Sequence, residues 1–162
     1  TLAGSSAASD VYKRQPYWDG EARGAIFGMT RNTGIAEFVK AAIDSVAYQT
    51  KDLVIAMQKD SGVPIKQLKV DGGMVANEDF LQFLSNILIL NFDRPKVTET
   101  TALGAAYLAG LSSGFIKNTE EISKKWQSDK IFKPKLHKKE VKYLYEGWLK
   151  AVKKTTTKKN SK

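Results

Sequence analysis

The longest regular pattern in the sequence is a stripe of apolar residues that begins after Thr33 or Gly34. Its members recur mostly at three- and four-residue steps, the spacing of one face of an α-helix. We expect this helix to end near Ser61 and Gly62, since glycine suits the left-handed position after a helix and Pro64 cannot continue one. The stripe consists of Ile35, Phe38, Val39, Ala42, Ile43, Val46, Ala47, Val54 and Met57.

A strand, a sharp turn and a second helix are predicted next. Apolar and polar residues alternate over residues 65–70, which is typical of a strand, and the chain then runs into Asp71, Gly72 and Gly73. Asn77 is a favourable N-cap, because two acidic residues follow it in the first helical turn. The apolar residues of this helix are Phe80, Leu81, Phe83, Leu84, Ile87 and Leu88.

Two further segments carry strand signals. Residues 23–29 combine apolar residues with glycines at both sides and predict a short strand. Residues 89–92 either extend the second helix or begin a strand before Pro95.

Helical patterns dominate the second half of the chain. Residues 100–110 are so rich in small side chains that we expect another backbone to pack closely against this helix. Asn118 or Thr119 caps a short helix that runs through Trp126. An apolar stripe over residues 141–152 predicts a last amphipathic helix that docks on the body of the domain.

This order of elements predicts an α/β fold with a mainly parallel, short sheet of two to four strands and packed helices. Because the sheet is short and the small-residue helix needs a neighbour, we expect that part of the domain lies outside the chain. We assign residues 16–154 to this partial domain. Residues 1–15 are predicted to be a non-native or disordered leader, since residues 5–15 resemble translated sequencing-adaptor sequence, and residues 155–162 a basic disordered tail.

Composition excludes several classes of site. The 162 residues contain no cysteine, which excludes a disulfide framework, a thiol nucleophile and Cys-based metal sites. The single histidine, His137, excludes a histidine-rich metal centre. The longest run of small apolar residues, 102–111, is far shorter than the roughly 18–20 residues of a membrane span, so we expect a soluble chain without membrane insertion. We expect the protein to be cytoplasmic.

The net charge of +9 is concentrated at one end of the chain. From Lys130 to Lys162, 12 lysines face two acidic residues, a balance of +10, so residues 1–129 carry a net charge of −1. A nucleic-acid-binding surface would interleave basic and aromatic residues on a folded face. We therefore predict a solvated tail and no nucleic-acid partner.

The sharpest chemical signal is the segment from Val70 to Asn77. It places Gly72 and Gly73 at the carboxyl end of a strand, where ligands bind in open α/β sheets and where glycines let a ligand approach the backbone. The following helix N-terminus offers free N–H groups, and Asn77 adds one acceptor and two donors, a match for a purine edge. The alternative is a tight strand–helix turn in which Asn77 is no more than an N-cap.

The other candidates carry weaker signals. Asp71 has the position of a catalytic base, but a strand-end aspartate more often bonds to loop amides. Trp18 and Asp19 face a ligand in one interpretation and plug the core in the other, and His137 is interpreted as a surface cap. The sequence contains no Walker-type loop, nucleophile elbow or HExxH pattern, so we assign no residue to catalysis and none to a metal.

A spaced pattern resembles the second signature of the FGGY carbohydrate kinases. It comprises Gly24, Ile26, Gly28 and Met29, then seven residues, then Glu37, Phe38, Ala41, Ala42, Ile43 and Asp44. Other segments resemble the members of this family that act on glycerol in particular, and the likeness runs from Pro16 to about Lys154. These segments are residues 16–19, 22–28, 45–50, 71–73 with 76–77, 101–110, and 147–148 with 151–152.

The resemblance implies a fold of the actin and hexokinase ATPase type, with two ribonuclease-H-like domains closing on a cleft. This chain matches the C-terminal part of the second domain. The resemblance also implies transfer of the terminal phosphoryl group of ATP to glycerol, giving glycerol 3-phosphate, with Mg²⁺. Matching positions bring the loop of Gly72 and Gly73, and with it Asn77, to the border of the adenine nucleotide. Members of the family often form homo-oligomers, so we expect one for the intact protein.

The same resemblance implies that much of the catalytic machinery lies upstream. Members of the family carry their phosphate-binding hairpin, glycerol-binding side chains and catalytic aspartate before the position of residues 16–19. They have Gly-Leu-Gly-Ala where this chain has residues 12–15. We therefore expect the isolated chain to be inactive. Two alternatives stay open, namely another FGGY kinase acting on a pentulose or gluconate, and a non-catalytic actin-like module that binds nucleotide.

Overall fold

The structure, a computed structural model, describes residues 17, 19 and 21–157, and these fall into two units. Residues up to 65 together with residues from 135 onward form the first unit, and residues 66–134 form the second. The elements in chain order are α1 (Ile35–Ser61), β1 (Gln67–Lys69), a 3₁₀ helix (Gly73–Ala76), α2 (Glu78–Leu88), β2 (Asn91–Pro95), α3 (Thr100–Ser112), α4 (Thr119–Lys124), β3 (Ser128–Phe132) and α5 (Lys138–Thr155).

Helix α1, in the first unit, has the ends that the sequence predicts. At its start the backbone N–H of Gly34 donates to the carboxylate of Glu37 over 2.8 Å. Gly62 follows its last residue with a φ of +67°, and the N–H of Gly62 donates to the carbonyl of Gln58 over 3.0 Å. Because glycine adopts positive φ without steric cost, the predicted end at Ser61 is confirmed.

Helices α1 and α5 are joined through polar groups that sequence patterns did not single out. Tyr145 and Trp148 of α5 both donate to the carboxylate of Asp52 on α1. The ring of Trp148 also stacks on Tyr48, with ring centroids 5.5 Å apart. The predicted amphipathic last helix is confirmed, and its aromatic residues make these contacts with α1.

The second unit is built on a three-stranded sheet in the order β1–β2–β3. Strands β1 and β2 are parallel, with Leu68 opposite Phe92, whereas β2 and β3 are antiparallel, with Phe92 opposite Phe132. The α/β class is confirmed. The sheet itself is mixed rather than mainly parallel, because its third strand comes from a segment that was not predicted to be a strand.

Strand β3 escaped prediction because its sequence has no apolar alternation. Four of its five residues are exposed, and it includes Asp129 and Lys130. It pairs with β2 along one side, and charged side chains on such outer strands discourage pairing with further chains. The pairing that creates β3 is long-range and leaves no local pattern.

Residues 23–29, predicted to be a strand, are irregular in the structure. Ile26, Phe27 and Met29 are 55%, 46% and 61% exposed. A strand is assigned when its backbone N–H and C=O groups form a ladder with a second strand, and residues 23–29 are not part of the three-stranded sheet found in the described part of the chain. This prediction is wrong for the structure.

Helix α2 packs its apolar face on the sheet, as its pattern predicts. Ser85 is fully buried within this layer, and its hydroxyl donates to the carbonyls of Leu90 and Phe132 over 2.8 and 3.2 Å. Burial of each large apolar side chain contributes about 1.5–3 kcal/mol, so this layer holds the second unit together. Its buried apolar residues include Phe80, Leu81, Leu84, Ile87, Phe92 and Phe132.

Helix α3 contains the predicted small-residue segment but has no buried residue. A Cβ added at Gly104 would meet nothing within 4 Å. One close approach occurs at Gly110, where the side chain of Ile116 lies 2.8 Å from the position of an added Cβ. Within the described residues, the expected close backbone neighbour of this helix is therefore not found.

Candidate functional site

The turn after β1 has a conformation that requires glycine. Gly72 has a φ of +85° and a ψ of 177°, a combination that other residues adopt at a cost of order 1–3 kcal/mol. Its N–H donates to the carbonyl of Thr98 over 3.2 Å, and its carbonyl accepts from the N–H of Val75 over 3.2 Å. The turn thereby connects the end of β1 to the loop after β2 and starts the 3₁₀ helix.

The turn also presents an open backbone surface. A Cβ added at Gly72 or Gly73 would meet nothing within 4 Å, and both residues are exposed. Strands β1 and β2 are parallel, so their carboxyl ends meet at one edge of the sheet, the edge at which ligands bind in open α/β folds. A flat ligand can therefore lie directly against the backbone here.

Asn77 caps helix α2 with one side of its carboxamide. Its Oδ1 accepts from the N–H of Phe80 over 3.0 Å, and Glu78 and Asp79 follow in the first turn. The prediction that Asn77 caps this helix is therefore confirmed. Capping leaves the second lone pair of Oδ1 and the two N–H donors of Nδ2 for a ligand, because Asn77 is exposed. The N-cap role and a purine-binding role are compatible at this residue.

Asp71 joins the same corner to the start of α3. Its carboxylate accepts a hydrogen bond from the hydroxyl of Thr100, the first residue of α3. The expected partner for a strand-end aspartate was a loop amide, whereas the partner found is a side-chain hydroxyl. This bond fixes the loop after β1 to the loop after β2, in addition to the bond between Gly72 and Thr98.

A residue that sequence reasoning missed contacts the turn from β2. The guanidinium of Arg94 donates to the carbonyl of Val75 over 3.1 Å and to Glu78 over 3.0 Å. It also pairs with Asp129 of β3 at 2.6 Å, and Lys130 pairs with Glu78 at 2.7 Å. No sequence pattern marks this cluster, because its members come from β2, β3, the 3₁₀ helix and α2.

A groove lies next to the Gly72–Gly73 turn in the second unit, but the turn itself does not line it. Its volume is about 680 Å³, and residues of α3 and α4, with Lys69 and Trp126, line it. The Nζ atom of Lys69 lies 4.0 Å from the ring centroid of Trp126, and the indole N–H donates to Asp93 over 2.9 Å. Thr100 borders this groove, whereas Gly73 and Asn77 do not.

The first unit has a separate cavity of about 350 Å³, with Asp52 and Tyr17 among its lining residues. Burial raises the pKa of Asp52 above its usual value, although hydrogen bonds from Tyr145, Trp148 and Tyr17 lower it. Burial first, and then the charge of Asp52, raise the pKa of Tyr17 to about 12. Sequence reasoning missed Asp52, since an aspartate in a helical pattern is normally solvent-exposed.

Asp19 and His137 were weighed as candidates in the sequence analysis. The structure gives Asp19 a hydrogen-bond partner elsewhere in the first unit and leaves His137 at the surface. Asp19 accepts from the backbone N–H and the hydroxyl of Thr157 over 2.6 and 2.8 Å. His137 is exposed before α5 and makes no side-chain capping bond.

Trp18 and the leader 1–15 lie outside the described residues. Of the predicted tail, Thr155 is the last residue of α5, and residues 158–162 lie outside the described part.

The described residues do not group ligands for a metal. Among residues 17, 19 and 21–157, no three His, Cys, Asp or Glu side chains come together as a metal site would require. None of the described helices combines the length and the apolar composition needed to cross a membrane.

Comparison of the sequence with known families matches residues 8–113 to the model described as the FGGY family of carbohydrate kinases, C-terminal domain. The match begins within the predicted leader, whose origin stays a prediction. Among curated proteins, the chain is 52% identical over 137 residues to a glycerol kinase of Bacillus licheniformis. It is 54% identical over 140 residues to a glycerol kinase of Oceanobacillus iheyensis. These alignments cover 85% and 86% of the chain but 28% of each relative.

Comparison with solved structures also matches the chain to carbohydrate kinases. The structure of Plasmodium falciparum glycerol kinase with ADP matches 96% of this chain and 35% of its own, at 31% identity and a TM-score of 0.78. A ligand-bound xylulose kinase from Lactobacillus acidophilus matches 86% of this chain and 28% of its own, at 25% identity and a TM-score of 0.70. The chain thus spans roughly a third or less of the length of these proteins.

Proposed function

The chain belongs to the FGGY family of carbohydrate kinases, and from this we propose that the intact gene product transfers the terminal phosphoryl group of ATP to glycerol. In that reaction a glycerol hydroxyl oxygen bonds to the γ-phosphorus while the bond from phosphorus to the β–γ bridging oxygen breaks. The products are glycerol 3-phosphate and ADP, and the hydroxyl proton passes to a base. Enzymes catalyse such transfers mainly by positioning and by electrostatic stabilisation.

The observation that carries the role of this chain is the Gly72–Gly73 turn, which leads within four residues to the cap residue Asn77. Backbone without side chains offers a flat surface for a purine ring. The free amide donors of Asn77 suit a ring-nitrogen acceptor of adenine, and the second lone pair of Oδ1 suits the exocyclic amine. We assign the border of the adenine nucleotide to Gly72, Gly73 and Asn77.

Glycerol is the substrate that the relatives favour. Curated glycerol kinases are 52% and 54% identical to this chain, and among the solved structures a glycerol kinase is 31% identical whereas xylulose and gluconate kinases are 25% identical. A pentulose or gluconate kinase is the alternative within the family. A non-catalytic module that binds nucleotide through the same turn is the alternative outside enzyme chemistry.

The chain alone is proposed to supply one side of the nucleotide site and no catalytic group. The turn offers contacts for a base, while the γ-phosphate needs converging charged groups and a metal. When bound, Mg²⁺ would neutralise phosphate charge, and its ligands are not assigned to residues of this chain. We also propose, from the family resemblance, that the intact protein acts in the cytoplasm as a homo-oligomer, which light scattering and fractionation would test.

The test is a substrate panel with the intact gene product. Purified protein is incubated with ATP and glycerol, xylulose or gluconate, and ADP and the phosphorylated product are measured. We expect the highest kcat/KM with glycerol and no product from the isolated chain. A higher kcat/KM with xylulose or gluconate would reassign the substrate within the family. ATP binding without turnover on any of the three would favour the non-catalytic module.

A further inference from the structure

Arg94 occupies an unusual position for a charged residue. It lies in the central strand β2, and its side chain is 13% exposed. A guanidinium that is partly withdrawn from solvent is tolerated when its donors are paired with good geometry. Each part of this one is paired: Nε with Asp129 at 2.8 Å, Nη2 with Asp129 and Glu78, and Nη1 with the carbonyl of Val75 at 3.1 Å.

The contact with Val75 is the one that reaches the candidate site. Val75 is the third residue of the 3₁₀ helix, between Gly73 and Asn77, and it is 3% exposed. Its N–H is bound to the carbonyl of Gly72 and its carbonyl to the guanidinium, so both of its backbone polar groups are fixed. The orientation of this residue sets the direction in which the chain leaves the Gly-Gly turn and reaches Asn77.

The contact with Glu78 holds the other end of the turn. Glu78 is the first residue of α2 and directly follows Asn77. Hydrogen bonds from Lys130 and then from Arg94 lower the pKa of Glu78, which favours its charged form next to these two cations. The pKa of Arg94 is raised, chiefly by its hydrogen bond to Asp129. Two cations and two anions thus form a balanced cluster beneath the start of α2.

We propose that Arg94 is a positioning residue for the nucleotide site: by binding the carbonyl of Val75 and the carboxylate of Glu78 together, it sets the spacing and direction of Gly73 and Asn77. The expected effect of Arg94 on ATP binding rests on the proposed function. Its expected effect on the conformation of the turn does not. Arg94 donates to the carbonyl of Val75 and to Glu78 rather than to the assigned contact residues, so it acts through the backbone of residues 73–77.

The geometry requires the fork of an arginine rather than charge alone. The three nitrogens of Arg94 point in three fixed directions, toward Asp129, Glu78 and Val75. A lysine presents one compact ammonium group and cannot hold partners that are spread around a planar fork. Arg94→Lys therefore preserves the charge and removes the connection between the turn and the helix start, which makes it the informative variant.

The first experiment measures KM for ATP and for glycerol separately on the intact gene product. For Arg94→Lys we expect KM for ATP to rise about tenfold, with kcat and KM for glycerol within twofold, because displacement of a positioning group weakens the interactions it orients. The control is Lys130→Met, which removes another cation bound to Glu78 but leaves the bond to Val75, and it should stay within twofold throughout. Equal increases in both KM values, or an unchanged KM for ATP, would overturn the proposal.

A double-mutant cycle with Asn77→Ala tests whether the effect passes through the turn. If Arg94 acts by orienting Asn77, Arg94→Lys should raise KM for ATP by less than about threefold once the Asn77 side chain is gone, because coupled residues are non-additive. Full additivity of the two changes would contradict this route. If Arg94→Lys does not yield folded protein, Asp129→Asn takes its place. It frees one side of the guanidinium and should raise KM for ATP about threefold by the same argument, and no change would reject the proposal.

Amide hydrogen exchange on the chain itself tests the positioning role of Arg94 separately from the proposed kinase function. The N–H groups of Val75 and Asn77 are bonded within the turn, to Gly72 and Met74. In Arg94→Lys we expect these two amides to exchange about tenfold faster, as local opening becomes easier, with no change in Lys130→Met. Faster exchange with no ATP-dependent activity in the wild-type protein would reject the proposed function and keep the positioning role. Unchanged exchange in folded Arg94→Lys would reject the positioning role whatever the substrate.

Discussion

The indole Nε1 of Trp148 donates a 2.8 Å hydrogen bond to Oδ2 of Asp52, a residue that precedes it by 96 positions. Asp52 is 5% exposed, and its other oxygen accepts from the hydroxyl of Tyr145. A buried carboxylate is costly unless its oxygens are bonded. The two aromatic donors of α5 therefore allow α1 to carry a carboxylate at this contact. They also connect α1 to α5, which lies far along the chain.

Replacing Trp148 by Phe should destabilise the chain by about 1–3 kcal/mol, the usual cost of leaving a buried acceptor without its donor. Phe keeps an aromatic ring next to Tyr48 but is smaller than the indole, so the change removes the hydrogen bond together with part of the packing. Urea unfolding followed by circular dichroism measures the difference. Tyr143→Phe is the matched control, because Tyr143 is 76% exposed, and it should change stability by less than about 0.5 kcal/mol. Equal effects of the two variants would contradict a role for the Asp52 contact.

The pH dependence of stability should show the shifted pKa of Asp52. Burial raises this pKa above the usual value of 3.8. The protonated group is therefore favoured in the folded state, and its contribution to stability is fully present below pH 3.8 and is lost as pH rises through the raised pKa. Compared with Asp52→Asn, which cannot titrate there, the wild-type chain should lose stability as pH rises through this window and stay parallel above it. A constant difference from pH 3.5 to 7 would mean that the pKa is not raised.

Local patterns predicted the elements whose signals lie within a few residues. The ends of α1 followed from its apolar spacing and from Gly62, and the start of α2 followed from Asn77 and the acidic residues after it. The Gly72 turn was recognisable because glycine pairs after a strand have few other uses. In each case the physical cause, a cap or a positive φ, is local to the chain.

Long-range pairings escaped prediction. Strand β3 forms because Phe132 pairs with Phe92, and nothing within residues 128–132 signals that partner. Asp52 looks like a surface charge in its own segment and is buried, whereas Arg94 looks like one and is partly covered by partners far along the chain. Residues 23–29 show the converse case, since a strand-like sequence stays irregular without a pairing neighbour among the described residues. Sheet membership and buried charge depend on tertiary contacts that one sequence does not display.

The two glycines of the turn should respond differently to alanine. Gly72→Ala places a side chain at a φ of +85° and should cost about 1–3 kcal/mol of stability. Gly73 has no positive φ, and a Cβ there meets nothing within 4 Å. Gly73→Ala should therefore change stability by less than about 0.5 kcal/mol, while its methyl group raises KM for ATP in the intact gene product. An unchanged KM for ATP in Gly73→Ala would count against a base resting on this backbone.

Substitution of Asn77 separates its cap from its proposed contact with adenine. Asp at this position still accepts from the N–H of Phe80, so Asn77→Asp should keep stability within about 0.5 kcal/mol, whereas Asn77→Ala loses the cap and about 1 kcal/mol. Both variants lack the Nδ2 donors and should raise KM for ATP about tenfold, the equivalent of one lost hydrogen bond. Asn77→Asp with unchanged KM for ATP would leave Asn77 with the cap role alone.

Two glycines of α3 make a further matched pair. A Cβ at Gly104 meets nothing within 4 Å, so Gly104→Ala should stabilise the chain by about 0.5–1 kcal/mol through helix propensity. A Cβ at Gly110 would lie 2.8 and 2.9 Å from the Cδ1 and Cγ1 atoms of Ile116, which is 5% exposed and has little room to move. Gly110→Ala should therefore be about 1–3 kcal/mol less stable than Gly104→Ala, as measured by urea unfolding.

The steric origin of that difference has its own test. Ile116→Ala removes both of the atoms that crowd the added methyl group. In this background Gly110→Ala should become stabilising by about 0.5–1 kcal/mol, as in the exposed part of the helix, so the two changes are strongly non-additive. If Gly110→Ala stays destabilising without the Ile116 side chain, the cause is the backbone of α3 and not the contact with Ile116.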